Sequence, residues 1–264
     1  MPKQPEERDQ IRSLVRGLDV ILAFSQNRPR MSLSQMAEAT GLSRPTARRI
    51  LLTLEAHGYV RSDGKTFALT PRVLALGYAY LSSLNLTAIA QPYMERVVER
   101  TQEGCSLATL DATEVVYVTR VSTHRISSIT LATGTRLPAH ATSMGHVLLA
   151  GLSESELEHY LAQAALRPLT GYTITRREEL ITRLELVRAQ GYAIVDQELE
   201  RGLRSGAAPV KDSNNRVIAA LALSAVTATT DAQTFREHHV AILVEAALQI
   251  SHDLGADFSA KNGG

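Results

Sequence analysis

The sequence is poor in whatever would cross-link the chain or carry it into a membrane. It holds one cysteine, Cys105, in 264 residues. No intrachain disulfide framework is possible, and the scarcity points to a reducing, cytoplasmic setting. The longest apolar run, Val217 to Val226 broken by Ser224, is about half of the ~20 residues that a spanning helix needs. The first residues, Met1-Pro2-Lys3-Gln4-Pro5-Glu6-Glu7, contain no apolar stretch of the signal-peptide kind. A cytoplasmic protein with no membrane partner is the expectation.

An excess of one charge is missing too: 28 lysines and arginines face 27 aspartates and glutamates, a net of +1. That excludes an acidic or basic tail protein and, taken as a total, argues against nucleic acid. With 44% hydrophobic and 21% charged residues, wholesale disorder and collagen-like repeats are excluded as well. The usual catalytic signatures are absent. There is no Walker glycine-lysine loop, no GxGxxG and no HExxH among the eight histidines,. Ala141-Thr142-Ser143-Met144-Gly145 lacks the first glycine of a nucleophile elbow,. Glu198 and Glu200 lie close in sequence, but such pairs are too common to mark acid–base work. No catalytic residue, metal ligand or cofactor is expected.

What is present is a division. A chain of this length favours two domains, and the charges split accordingly. Eleven of the cations and seven of the anions fall in residues 1–70, a net of +4, which leaves 17 against 20, a net of −3, for the rest. A basic segment joined to a mildly acidic one is the pattern of a nucleic-acid module with a partner domain.

The periodicity follows the same division. Leu14, Val15, Leu18, Ile21 and Leu22 give a helical stripe over 13–24,. Ser32 is a candidate N-cap for a short helix through Ala39, and Thr40-Gly41-Leu42 forms a turn. Ser43 caps a third helix to about Ala56, with Pro45 tolerated in its first turn. Tyr59-Val60-Arg61 and Thr66-Phe67-Ala68-Leu69, joined through Asp63-Gly64, read as a hairpin,. Helices are expected from Pro71 to about Ser83 and, after a break at Asn85–Thr87, onward to about Thr101. The period then becomes two at Ser106–Leu110, Val115–Val118 and Ile129–Leu131,. Helices at Thr142–Ala150, Glu154–Ala162 and Arg177–Gln190 follow. Strands at Tyr192–Val195, Ala207–Val210 and Val217–Ser224 precede a last helix, Thr234 to Leu254, with His238-His239 on its surface. The class is α+β: a helical start with a hairpin, a linker helix, then a domain of strands and helices.

Two helices around Gly41 with a cationic second helix match a helix-turn-helix, and the hairpin matches a wing. The start of the second helix offers Ser43, Arg44, Thr46, Arg48 and Arg49 to DNA, with Ser34 and Pro45 beside them. The wing adds Arg61 and Lys65. Arginine suits guanine edges, and hydroxyls suit phosphates. Ala47, Ile50, Leu51 and Leu54 face the core.

These residues carry a resemblance. Leu33 to Leu51 resembles the winged helix of IclR-type bacterial transcriptional regulators. The segments Gly134 to Gly145 and Gly191 to Ser205, with Ala208-Pro209-Val210, are similar to two further signatures of that family. Leu69 to Leu84 and Val195 to Glu198 are similar to its aromatic-acid branch, the regulators of protocatechuate, 4-hydroxybenzoate and β-ketoadipate pathways. One position departs: where the family often has lysine or arginine after the Met144-Gly145 equivalent, this chain has His146.

The resemblance implies a C-terminal GAF-like effector domain with an antiparallel sheet around a small-molecule pocket. Carried over residue by residue, it implies a lining of Leu137, Ala139, Thr142, Ser143, Met144, Val195, Asp196, Ser205, Ala222 and Ser224. Arg120 or Arg136 is a possible source of charge for an acid, and Thr142 and Ser143 equally suit helix capping. The expected organisation is a disordered tail (1–12), a winged helix-turn-helix (13–70), a linker helix (71–87), the effector domain (88–258) and a C-terminal tail (259–264). The implied protein is a regulator that binds double-stranded operator DNA, answers to an aromatic or dicarboxylic acid, and self-associates as a dimer or tetramer. The alternative is a small-molecule-binding or enzymatic α+β domain whose winged helix mediates protein contacts.

Overall fold

The computed structural model describes residues 11–25, 27–76, 86–123 and 132–257. The chain forms two compact units, divided between Ser83 and Leu84.

In the first unit, α1 (Arg12–Leu22) precedes β1 (Met31–Ser32), α2 (Leu33–Thr40), α3 (Arg44–Ala56), β2 (Val60–Ser62) and β3 (Thr66–Leu69). Ser32 closes a capping box on α2: the Gln35 amide donates to Ser32 Oγ at 3.4 Å, and the Ser32 amide donates to Gln35 Oε1 at 2.8 Å,. Gly41 ends α2 at φ +65°, a left-handed conformation that glycine adopts without a Cβ penalty,. Ser43 then caps α3 through the Thr46 amide, with Pro45 in the first turn,. Met31, Met36, Ala47, Leu51 and Val60 form the buried core with Val20. The hairpin pairs Ser62 with Phe67, and β1 adds to its other side through Ser32 and Thr66, giving a three-stranded antiparallel sheet β1-β3-β2.

The stripe expected on α1 does not pack inward. Val20 is the buried residue of this helix, whereas Leu14, Val15, Leu18 and Leu22 are exposed. The helix turns a neighbouring face to the core and leaves its apolar seam on the surface.

After a 3-10 turn at Pro71–Val73, the rest of the expected linker helix, 77–85, lies outside the described residues, as do the expected strand Ile129–Leu131 and most of both tails. The second unit opens with α4 (Leu86–Thr101), whose Leu86 lies in the expected break and is buried. Then come β4 (Cys105–Asp111), β5 (Glu114–Val121), β6 (Arg136–Pro138), a 3-10 turn (Ala139–Ala141), α5 (Ser143–Ala150), α6 (Glu154–Gln163) and α7 (Arg177–Gln190). Three strands, β7 (Ala193–Asp196), β8 (Leu203–Lys211) and β9 (Val217–Val226), lead to a helical turn (Ala232–Thr234), a π-helical stretch (Phe235–Val240) and α8 (Ala241–Asp253). The sheet is antiparallel with order β6-β5-β4-β9-β8-β7. Strand β6 falls in a segment read from sequence as loop.

Alternation on the strands separates two cores. One face, with Leu107, Ala208, Val210, Leu221 and Leu223, packs on α4 and α8. The other, with Ala108, Ala207, Ala220 and Ala222, packs on α5, α6 and α7. Small residues on that second face let α5 lie close, and all eight of its residues are buried. The π-helical stretch interrupts what the period reads as one helix. His239, expected on the surface, is buried there and stacks on Phe235 with ring centroids 5.6 Å apart, while His238 is exposed.

Candidate nucleic-acid interface and small-molecule cavity

The exposed side of the first unit carries the candidate DNA residues. Ser34, Ser43, Arg44, Pro45, Arg48 and Arg49 are exposed and Thr46 is half-buried; Arg61 and Lys65 are exposed on the hairpin. Ala47 and Leu51 are buried, so α3 turns its arginines outward as the period predicts. The Arg44 guanidinium donates to Ser34 Oγ, which ties the two helices at the turn. Ser43 Oγ and Thr46 Oγ1 are hydrogen-bonded at 2.9 Å. Thr46 and Arg49 also border a groove toward α1 that is lined by Leu14, Leu18, Ile21, Ile50 and Leu54.

Asp63 organises the wing tip. Its Oδ1 accepts the amides of Lys65 (2.9 Å) and Thr66 (2.7 Å), and its Oδ2 accepts from the Thr66 hydroxyl (2.8 Å) and the Arg30 guanidinium (3.0 Å). These donors, the Thr66 and Lys65 amides foremost, hold its carboxyl well below the usual carboxylate range,. The turn is therefore kept shut by an ionised carboxylate and presents Lys65 outward.

In the second unit a cavity of about 390 Å³ is lined by Ser106, Tyr117, Arg120, Leu137, Thr142, Ser143, Met144, Leu199, Glu200, Leu203, Ser205, Ala222 and Ser224. Seven of the ten positions named from sequence for a pocket are in it. The other three are not, each for a packing reason. Ala139 is fully buried beneath α5, with its carbonyl pressed on Gly145. Val195 is buried on β7 opposite Ser205. Asp196 is exposed and accepts from Arg204 Nη2 at 2.8 Å, away from the cavity.

The cavity's polarity comes from strand pairing. Ser106 stands opposite both Arg120 and Ala222, and Ser205 stands opposite Ser224. Tyr117 and Arg120 are three residues apart, a spacing that regular alternation sends to opposite faces. A register shift at Leu107/Ala108 brings Tyr117 opposite Ala108 while Arg120 stays opposite Ser106, so both line the cavity,. Arg120 Nη1 donates to Ser106 Oγ at 3.5 Å and Nε to Ser122 Oγ at 3.4 Å; it has no carboxylate partner among the described residues. Arg136, the other arginine weighed for this role, is exposed and bound to Glu114 (2.7 Å) and Asp111 (2.8 Å). Burial pushes the Tyr117 hydroxyl up to about 12, with Arg120 opposing, so it stays a proton donor,.

Thr142 caps a helix and also faces the cavity. Its Oγ1 accepts the Gly145 amide at 3.0 Å, capping α5, and the residue lines the cavity. His146 is not a cation in the wall. Its ring is fully buried, with Nε2 2.7 Å from the His140 carbonyl oxygen. Burial pulls it down to about 4, the His140 contact opposing and nearby Arg183 adding to the fall. The neutral ring donates from Nε2. Ser106, Tyr117, Leu199, Glu200 and Leu203 were not singled out for a pocket from sequence, since neither the strand register nor the path of the β7–β8 turn that gathers them is visible along the chain. Glu198 and Glu200 part company: Glu198 is buried against Arg183, and Glu200 is exposed beside the cavity. Cys105 is buried in β4, and burial raises its thiol far above the ordinary value. Among the described residues no group of histidines, cysteines and carboxylates is arranged to hold a metal ion, and no helix is long and apolar enough to cross a membrane.

Comparison with known proteins agrees with the division. Residues 13–64 match the model of the IclR helix-turn-helix domain, and residues 78–252 match that of the bacterial transcriptional regulator IclR C-terminal domain. The chain is 40% identical to the Pca regulon regulatory protein of Pseudomonas putida, over 93% of this chain and 85% of that protein. It is 38% identical to the p-hydroxybenzoate hydroxylase transcriptional activator of Acinetobacter baylyi, over 81% of this chain and 80% of that protein. Among solved structures, an IclR homolog complexed with 4-hydroxybenzoate, from Microbacterium hydrocarbonoxydans, superposes with a TM-score of 0.82 at 29% identity, covering 92% of this chain and 98% of that one.

Proposed function

Because the chain belongs to the IclR family of bacterial transcriptional regulators, we propose that its winged helix reads operator DNA and that the cavity of its second unit takes a small aromatic acid as the signal. It is a regulator of transcription and not an enzyme. The proposal concerns the residues that act and the ligand they meet.

In this reading α3 lies in the major groove. Arg44, Arg48 and Arg49 reach base edges or flanking phosphates, Ser34, Ser43 and Thr46 supply hydroxyls, and Pro45 approaches at the helix tip. Arg61 and Lys65 of the wing follow the neighbouring backbone. Two half-sites need two recognition helices, so a second copy is required. The exposed seam of Ile11, Leu14, Leu18 and Leu22 on α1 supports α1 as its contact,.

The observation that carries the ligand class is Arg120: a guanidinium without a carboxylate partner among the described residues, inside a cavity whose lining is otherwise apolar or hydroxylic save for Glu200, which is exposed at its edge. A carboxylate fits that cation, and the Thr142 and Ser143 end of α5 adds free amides. Leu137, Met144, Leu199, Leu203 and Ala222 suit a ring, and Tyr117, Ser205 and Ser224 suit its hydroxyls. Two of the named relatives concern p-hydroxybenzoate or 4-hydroxybenzoate, which supports an acid of this kind. Binding would shift the populations of DNA-competent and less competent forms. The test is thermal unfolding of the full chain with 4-hydroxybenzoate, protocatechuate and β-ketoadipate. At a hundred times Kd a true effector raises Tm by about 5 °C or more; no rise with any of the three overturns the ligand class.

A further inference from the structure

Behind one wall of the cavity lies an ion pair that touches no ligand position. Arg183 Nη1, from the middle of α7, donates to Glu198 Oε1 at 2.9 Å; the Glu198 side chain is 5% exposed and that of Arg183 32%. Glu198 Oε2 is sealed from solvent without a hydrogen bond of its own. Glu198 is the second residue of the stretch that leads from β7 to β8. Its sequence neighbours Leu199 and Glu200, and then Leu203, line the cavity from the other side of the same stretch. The backbone there is held by a small set of anchors. Thr170 Oγ1 donates to the Gln197 carbonyl at 2.7 Å, and Thr173 Oγ1 to the Glu198 carbonyl at 2.6 Å. The Gly202 amide donates to Gln197 Oε1 at 3.0 Å, and Gln197 itself sits at φ +61°, a left-handed conformation uncommon for a residue with a side chain,.

We propose that Arg183 and Glu198 are positioning residues for the effector cavity: their ion pair ties α7 to residues 198–203 and so sets how tightly the wall formed by Leu199, Glu200 and Leu203 closes on the ligand. The reasoning is that a buried carboxylate does not stay buried without its partner. If Arg183 is lost, Glu198 takes up a proton or swings toward water, and either way the tether between α7 and residues 198–203 is gone,. Burial already works against the charge of Glu198, with Arg183 opposing that effect. The pair is also coupled to the opposite wall, since α7 packs on α5, which carries Ser143 and Met144.

The inference rests on the cavity being the effector site, and the experiment separates the two. Full-length wild type, Arg183→Met, Arg183→Lys, Glu198→Gln and the Met/Gln double variant are titrated calorimetrically with 4-hydroxybenzoate and with protocatechuate. Amide hydrogen exchange is measured on the same proteins without ligand. The expected result is an affinity ~tenfold lower in Arg183→Met and in Glu198→Gln, a double variant no weaker than the worse single, and recovery in Arg183→Lys. Exchange should quicken at 198–203 in the two weakened variants and stay as in wild type in α4 and α8. Wild-type affinity in Arg183→Met, additive losses, or unchanged exchange at 198–203 overturns the proposal. If Arg183→Met does not fold, Glu198→Gln and Arg183→Lys, which keep the side-chain volumes, decide it. If wild type binds neither acid, the ligand class fails, and the exchange arm alone decides whether the pair holds the wall.

Discussion

A Cβ atom on Gly145 would lie 1.9 Å from the carbonyl oxygen of Ala139 and 2.5 Å from its carbonyl carbon. The 3-10 turn before α5 folds back until its first carbonyl rests on the helix, and Thr142 Oγ1 accepts the Gly145 amide from the same turn. This backbone contact brings Thr142, Ser143 and Met144 to one wall of the cavity.

Gly145→Ala therefore cannot be accommodated by a side-chain rotation, because the obstacle is backbone. The variant is expected to lose about 2–3 kcal/mol of stability, the upper part of the range for an overpacked core, and to bind effector more weakly. Urea unfolding measures the first and calorimetry the second; an unchanged urea midpoint would show that α5 moves without cost.

Arg120→Met should leave the unfolding midpoint near wild type, since among the described residues the guanidinium has no carboxylate partner to lose. Its effect should fall on ligand. Removing a hydrogen-bonded charge is worth about 1.5–3 kcal/mol, or ~10–100-fold in Kd. Titration of the variant with 4-hydroxybenzoate checks this, and a Kd within twofold of wild type would remove Arg120 from the site.

For DNA, Arg48→Ala and Lys65→Ala should each weaken operator binding in fluorescence anisotropy. A cation that contacts phosphate also lowers the slope of log K against log salt by about one. An arginine that reads a base instead loses discrimination against a mutated operator. Equal affinities for variant and wild type at fixed salt would move the interface away from α3 and the wing.

Buried His146 makes a pH prediction with a definite sign. Its pKa falls from 6.5 to about 4 on folding, so the unfolded chain takes up the proton first as pH drops. The stabilisation is complete above about pH 6.5 and is lost progressively toward pH 4, a total of about 3 kcal/mol for this group. His146→Gln keeps a donor for the His140 carbonyl without titrating. The difference in unfolding free energy between it and wild type should shrink from pH 7 to pH 5. A constant difference would mean that folding leaves the imidazole pKa where it is in the unfolded chain, and a difference that grows would mean that the ring is charged in the fold.

Leu18→Glu, on the exposed seam of α1, should lower self-association in sedimentation and weaken operator binding with it, while leaving effector affinity unchanged. A variant that assembles like wild type would place the contact elsewhere.

The helix-turn-helix was legible because its determinants are local. The Ser32 and Ser43 caps, Gly41 after α2, the Asp63-Gly64 turn and the outward arginines of α3 are each set by residues a few positions apart. The cavity was legible only in part. Leu137, Thr142, Ser143, Met144, Ser205, Ala222 and Ser224 were reached through the family resemblance, which carries positions over along the chain and does not need the fold. Asp196, Val195 and Ala139 lie outside the cavity lining because their neighbours in space, Arg204, the sheet interior and Gly145, hold them elsewhere. The stripe on α1 was visible, but its partner was not, since apolar periodicity tells that a face will be covered and not by what.

The sequence by itself determined most of the order of helices and strands, though not the short β1 and β6, together with the basic first unit and the turn chemistry, all of which follow from periods and caps that act over a few residues. Tertiary structure decided which charges meet the ligand. Arg120 and Tyr117 share a wall because the β4–β5 pairing slips by one residue at Leu107/Ala108. Arg183 reaches Glu198 because α7, packed on α5, lies beside the stretch between β7 and β8. Register and helix placement come from the packing of the whole sheet, and they reverse or preserve the facing of a side chain without changing any residue near it.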